Sequence, residues 1–266
     1  MRYYPQIFRM LYIKHYLLIL VVLLASGCAG AKVKEELTAE ELYREAMEEF
    51  NKGKTWGLFS TVDYVRVIEK FQKVIDYYPV SKYAILAELK IADAYFRNRE
   101  YQEAIIHYQE FKQLHPTNEN IPYVIYKLGL SHFKLILSID RDQRATEKAA
   151  SHFEELIRKY PECEYAEDAR GKLLSSRRRL AEHEFYVGKF YYRRGDYQIA
   201  LGRFNRILKG YPGLGFDAKS LYFIGRCHYY LREWDEAREA LQRLSDSYPH
   251  SKYRKKAKSL QAELKD

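Results

Sequence analysis

The chain has 266 residues, a formal net charge of +9, 26 tyrosines, only seven prolines and thirteen glycines. So few helix breakers beside abundant Leu, Ala, Glu, Lys and Arg favour an all-helical protein. Three cysteines exclude a disulfide framework, and the length is ample for a sizeable core or a modular array.

At the N-terminus, Arg2, Arg9 and Lys14 precede eight apolar residues, Leu17 to Leu24, and Ala25-Ser26-Gly27 then lead into Cys28. This is the layout of a bacterial secretory signal. The apolar run is too short to cross roughly 30 Å of hydrocarbon as a helix. A cysteine directly after Ala-Ser-Gly resembles a lipoprotein processing box. It predicts removal of residues 1–27, lipid attachment at Cys28 and acylation of the new amine. Leu24 lies four residues before the cysteine, one further than in the commonest box. The plainer reading is an ordinary cleavable signal with an incidental cysteine. Several acyl chains at about 0.8 kcal/mol per buried methylene make an essentially permanent anchor. Ala29, in place of Asp after the cysteine, points to the outer membrane. Residues 28–36 carry no apolar period and read as a short lipidated tether. An exported chain meets no nucleic acid, so its positive charge is assigned to acidic protein surfaces or lipid head groups.

From residue 37 onward an aromatic-proline stop recurs: Tyr78-Pro79, His115-Pro116, Tyr160-Pro161, Tyr211-Pro212 and Tyr248-Pro249. Each stop follows an apolar helical stripe with a small residue near its start. This is the tetratricopeptide plan of two antiparallel helices in about 34 residues, the second ended by proline. The second unit places Ala92 and Ala104 in the two size-restricted slots, with Tyr95, Tyr108 and Phe111 as filler. The fourth places Gly188 and Ala200 there with Tyr191, Phe204 and Ile207; the fifth has Gly225 and Ala237 with His228, Leu241 and Leu244. Two units are stretched. The first joins Ala46 to Val67, Phe71 and Val74 through an inserted turn with Trp56 to Ser60. The third joins Gly129 to Ala149, Phe153 and Leu156 through a charged connector, Ser138 to Arg144, expected to be solvated. Spare sequence after Cys163 predicts one long helix from about Tyr165 to Arg193, and a basic helix from about His250 to Lys265 would cap the array. The expected fold is therefore an all-α tetratricopeptide superhelix of about five helix-turn-helix units with a C-terminal capping helix. Cys163 follows a Tyr-Pro turn and Cys227 lies in an apolar helical stretch, so two unrelated free thiols are expected.

Nothing in the sequence assembles a catalytic or metal site, and no cofactor is expected. His183-Glu184 is followed by Val187 where a zinc protease needs histidine. His107, His115, His132 and His152 lie in separate repeat elements without a ligand partner at helical spacing. Gly213-Leu214-Gly215 has no preceding strand and is no phosphate loop. Asp140 and Asp142 lack the glycine and glutamate of a calcium loop. An enzyme is not expected. Binding is what a helical-repeat array supplies. Surplus aromatics, Tyr78, Tyr83, Tyr95, Phe96, Tyr123 and Tyr126, suggest a groove for apolar or aromatic peptide side chains, although any single one is better read as packing. Arg203 and Arg206, three apart beside inward-facing Phe204, are either a solvated basic face or a docking patch for an acidic partner.

Several stretches together resemble the outer-membrane assembly lipoprotein family BamD (ComL). The strongest is Leu180-Ala181-Glu182-His183-Glu184-Phe185-Tyr186-Val187-Gly188, continuing through Tyr197. Others are Ile91-Ala92-Asp93-Ala94-Tyr95-Phe96, Pro122-Tyr123 with Tyr126, Asp140-Arg141-Asp142, and Tyr165-Ala166-Glu167-Asp168-Ala169. The resemblance implies a component of the machine that inserts β-barrel proteins into the outer membrane. It further implies docking on the POTRA domains of the barrel subunit BamA, and contact with other assembly lipoproteins and with unfolded barrel substrates. By position, Arg203 matches the family's docking arginine, and Arg206 stands beside it. The substrate groove would fall in residues 37–120, near Tyr78 and Tyr83 with Tyr95, Phe96 and Tyr126, and partner docking in residues 121–266. The lipid would hold the chain in the inner leaflet, at the periplasmic face. The alternative is a periplasmic repeat protein coordinating cell-wall synthesis with envelope constriction. Such proteins typically carry an N-terminal coiled coil, and no heptads occur here.

Overall fold

The second helix of each repeat stops in the same way. Tyr78, His115, Tyr160, Tyr211 and Tyr248 all take φ between −126° and −136° with ψ between 45° and 61°. Each precedes a proline, whose ring pushes the preceding residue out of the helical region. Each cap still donates its backbone N–H to the carbonyl four residues back, so the last turn stays satisfied. The local sequence thus fixes both the stop and the direction of the chain into the next repeat.

The computed structural model describes residues 36–52 and 62–264. Among these are eleven helices and no strand: α1 (Ala39–Asn51), α2 (Tyr64–Tyr77), α3 (Lys82–Arg97), α4 (Tyr101–Leu114), α5 (Ile121–Lys134), α6 (Arg144–Lys159), α7 (Ala166–Arg194), α8 (Tyr197–Gly210), α9 (Asp217–Leu231), α10 (Trp234–Ser247) and α11 (Lys252–Glu263). They lie in the compact unit that begins at Ala39. Each helix packs mainly on its neighbours in sequence, as stacked helical pairs must. None among the described residues is long and apolar enough to cross a membrane. Cys28 and the Trp56–Ser60 insertion lie outside the described residues.

Small-to-large pairs hold each hairpin closed. A Cβ on Gly129 would lie 2.6 Å from the Phe153 ring, and one on Gly225 would lie 2.7 Å from Leu241. Ala92 and Tyr108 fill the corresponding slots in the second repeat and are both fully buried. In repeats two, four and five the turn from the first to the second helix passes through a left-handed residue. Gly195 supplies it in the fourth repeat at φ 84°, whereas Arg99 and Arg232 adopt φ 65° and 63° in the same role.

The long helix expected from Tyr165 to Arg193 is α7, Ala166–Arg194. Its first half completes the apolar cluster of repeats two and three through Ala169. Its second half joins the cluster of repeats four and five through Ala181. The capping helix α11 buries Ala257 and Leu260 against Leu241 and Leu244. The charged residues of the Ser138–Arg144 connector, Asp140, Arg141, Asp142 and Arg144, are exposed as expected, and Gln143 is the exception. It is buried, donating to the carbonyls of Ser138 and Arg141 and accepting from the Thr146 hydroxyl at 2.8 Å. A buried amide needs those partners, so the connector folds around its side chain. Arg179 and His183 of α7 bond to the Leu137 and Ile139 carbonyls and pin it in place.

Candidate functional site

Asp93 organises the junction of repeats two and three. It lies on α3 and is 4 % exposed. Its Oδ1 accepts the hydroxyls of Tyr108 on α4 and Tyr123 on α5, both at 2.6 Å. Its Oδ2 accepts from Lys90 at 2.7 Å. A buried carboxylate is tolerated when its lone pairs are filled in this way. Burial, with the Asp93 charge second, raises the pKa of both tyrosines, so they remain proton donors. One turn further along α5, Tyr126 stacks on Tyr165 at 4.9 Å and donates to Asp168 of α7 at 2.7 Å. Lys172 holds the other oxygen of Asp168.

The aromatics proposed for a groove therefore fall into separate environments. Tyr83 packs against Tyr43 of α1 at 5.6 Å between centroids. Tyr95 stacks on His107 at 4.9 Å and nearly parallel, inside the second hairpin. Phe96 lies under the Lys127 ammonium, 3.9 Å from its centroid, with Tyr101 at its edge. Tyr83 and Phe96 are thirteen positions apart on α3, or about 20 Å along its axis. Tyr78 stands in the α2–α3 turn between Tyr77 and Val80, which are 69 % and 100 % exposed. Tyr78 and Tyr83 share one end of α3, while Phe96, Tyr123 and Tyr126 share the other with α5.

On α8, Phe204 is fully buried against Gly188, which turns the neighbouring Arg203 and Arg206 toward α7. Both guanidinium groups meet one carboxylate, Glu184: Arg203 at 3.2 Å and Arg206 at 3.6 Å. Two cations on a single acid leave local positive charge, and Arg206 is the more open at 64 % exposed.

The structure also joins residues that the sequence separates. His132 on α5 and His152 on α6 stack at 5.5 Å with their rings 12° apart. Burial lowers the pKa of both and, with the neighbouring His132 charge, takes His152 to about 4. Cys163 and Cys227 are free thiols, and burial pushes the Cys227 thiol up to about 12. No group of three His, Cys, Asp or Glu able to hold a metal occurs among the described residues.

A family model described as outer membrane lipoprotein (YfiO) matches residues 35–231. The chain belongs to this family. A tetratricopeptide model matches residues 219–251, which span α9 and α10. Curated relatives named outer membrane protein assembly factor BamD are similar over most of their length. That of Rickettsia prowazekii is 29 % identical over 238 residues, covering 89 % of this chain and 91 % of its own. That of Vibrio cholerae is 30 % identical, covering 76 % and 85 %. That of Caulobacter vibrioides is 28 % identical, covering 88 % and 76 %. The polar residues that carry the family resemblance have structural duties here. Asp93 gathers two repeats, Asp168 fastens α7 to α5, His183 pins the connector, and Glu184 orients the two arginines.

Proposed function

We propose that this chain is a non-catalytic, lipid-anchored component of the machinery that assembles β-barrel proteins in the outer membrane. The match to the outer membrane lipoprotein family over residues 35–231, with relatives named as assembly factors, carries this reading. Cys28 would carry the lipid and hold the repeats at the periplasmic face. Arg203 and Arg206 would dock on an acid of a POTRA domain in a BamA-type barrel subunit. The residual positive charge around Glu184 supports that role. Unfolded substrates would meet the apolar surface around Tyr78 and Tyr83, and exposed Tyr77 and Val80 support that placement. In this scheme Tyr95, Phe96 and Tyr126 shape the neighbouring walls.

Affinity purification from envelopes followed by mass spectrometry tests the assignment. A POTRA-bearing barrel protein should be the main partner, and Arg203→Glu should reduce its recovery. Undiminished recovery with the variant would overturn the docking role of Arg203. Absence of any barrel partner from the wild-type complex would overturn the assembly role itself.

A further inference from the structure

A second groove lies in the C-terminal repeats, away from the proposed substrate aromatics. It has a volume of about 260 Å³ and runs between α7 and the start of α9. Phe185, Tyr186, Lys189, Phe190 and Arg193 recur at three- and four-residue spacing and so share one broad face of α7. Phe216 and Lys219 form the opposite wall, and Ile139 closes one end. That end is fixed, because His183 Nδ1 donates to the Ile139 carbonyl at 2.6 Å.

Two features of the groove point to a ligand. Tyr186 and Phe190 are 47 % and 49 % exposed, large apolar surfaces that water covers poorly. Lys189, Arg193 and Lys219 form a cluster of three cations in the lining, and Glu182, the one acid there, offsets only part of it through its attraction for Lys219. The Lys219 ammonium rests 3.4 Å from the Phe216 centroid and 4.5 Å from that of Phe185, leaving its outer side open to an anion.

We propose that this groove binds an extended acidic peptide segment carrying a large apolar side chain. The apolar side chain would enter among Phe185, Tyr186 and Phe190, and its flanking carboxylates would meet Lys189, Arg193 and Lys219. Glu182 would accept a backbone N–H of the peptide. A trough with an acid in its lining suits a peptide, which offers N–H donors, better than an anionic bilayer, which offers none at that depth. The site is distinct from the docking contact, since Arg203 and Arg206 meet Glu184 and neither lines the groove, whose opposite wall is Phe216 and Lys219.

The test is fluorescence anisotropy with full-length chain purified in detergent. The probe is a labelled heptapeptide with a central phenylalanine, two glutamates on each side and glycine at both ends. Saturable binding should weaken at least about tenfold when the central residue is alanine, and by a similar factor when the glutamates are glutamine. Lys189→Glu and Phe190→Ala should each weaken it to a comparable degree with unchanged circular dichroism, whereas Lys209→Glu, exposed on α8 outside the groove, should leave it within about twofold. Equal affinity for the alanine peptide would reduce the groove to a charged surface and overturn the proposal. So would binding that survives Lys189→Glu and Phe190→Ala, or no peptide binding beside Lys189-dependent binding to phosphatidylglycerol vesicles.

Discussion

Gly188 lies directly against the ring of Phe204, and a Cβ there would sit 2.7 Å from Cε1 of that ring. The ring is fully buried between helices, so it cannot swing aside without disturbing the hairpin. Gly188→Ala should therefore destabilise the chain by about 1–3 kcal/mol through overpacking. At Gly171, on the same helix, an added Cβ would meet nothing within 4 Å. Gly171→Ala should instead stabilise by about 0.5–1 kcal/mol, because alanine gives up less backbone entropy in a helix. Urea titrations of the two variants should move in opposite directions.

The Asp93 junction makes a second prediction. Asp93→Ala would leave the hydroxyl of fully buried Tyr108 without its acceptor and free Tyr123 and Lys90. An orphaned buried donor together with a broken charged network should cost about 2–4 kcal/mol. Adding Tyr108→Phe removes the orphan, so the double variant should recover part of the loss. Strictly additive destabilisation in the cycle would show that the hydroxyl and the carboxylate do not act together.

The helical pairs are legible in the sequence because their determinants are local. Small residues one turn apart from large ones, and an aromatic before each proline, repeat within every hairpin. The contacts that join repeats are set by how hairpins stack, and no spacing announces them. Asp93 and Tyr123 are thirty residues apart. His132 and His152 have ordinary surroundings in sequence, yet their helices bring the rings face to face. Gln143 stands in a charged stretch that reads as solvated, and its burial follows from the carbonyls that the bent connector turns toward it. At the candidate docking face, Arg203 and Arg206 are evident in the sequence, but the acid they share lies on the preceding helix.

The stacked histidines predict an acid sensitivity with a defined window. His132 faces Lys148, while His152 faces His132, Lys112 and Lys148, with Glu155 as the opposing charge. Burial leads both shifts downward, and His152 falls from 6.5 to about 4. Between those values the unfolded chain binds a proton that the folded chain refuses, so stability rises with pH across the window. From pH 7 to pH 5, His152 alone should remove about 2 kcal/mol. The lowered Glu155 and Asp168 carboxylates act at lower pH, because their stabilising effect is lost only as pH falls below the ordinary carboxylate range. His132→Gln combined with His152→Gln should flatten the profile between pH 7 and 5 while leaving the lower limb in place. An unchanged slope in urea unfolding would remove the histidines from the account.

Glu184 offers a way to separate the fold from the proposed docking at Arg203. It is the in-chain partner of both arginines, so Arg203→Glu alone would set two carboxylates against each other and confound stability with binding. Exchanging the pair, Arg203→Glu with Glu184→Arg, keeps opposite charges facing across α7 and α8. Stability should return to within about 1 kcal/mol of wild type, as befits a partly exposed ion pair. Docking should not return, because the cation now projects from α7 rather than α8. Glu184→Gln tests the converse. It removes the competing acid and should strengthen association with an acidic partner, with a steeper loss on raising salt. Co-purification and thermal melts of these three variants give two independent readouts. If recovery of the partner simply follows stability across the series, Arg203 serves the fold and the docking contact lies elsewhere.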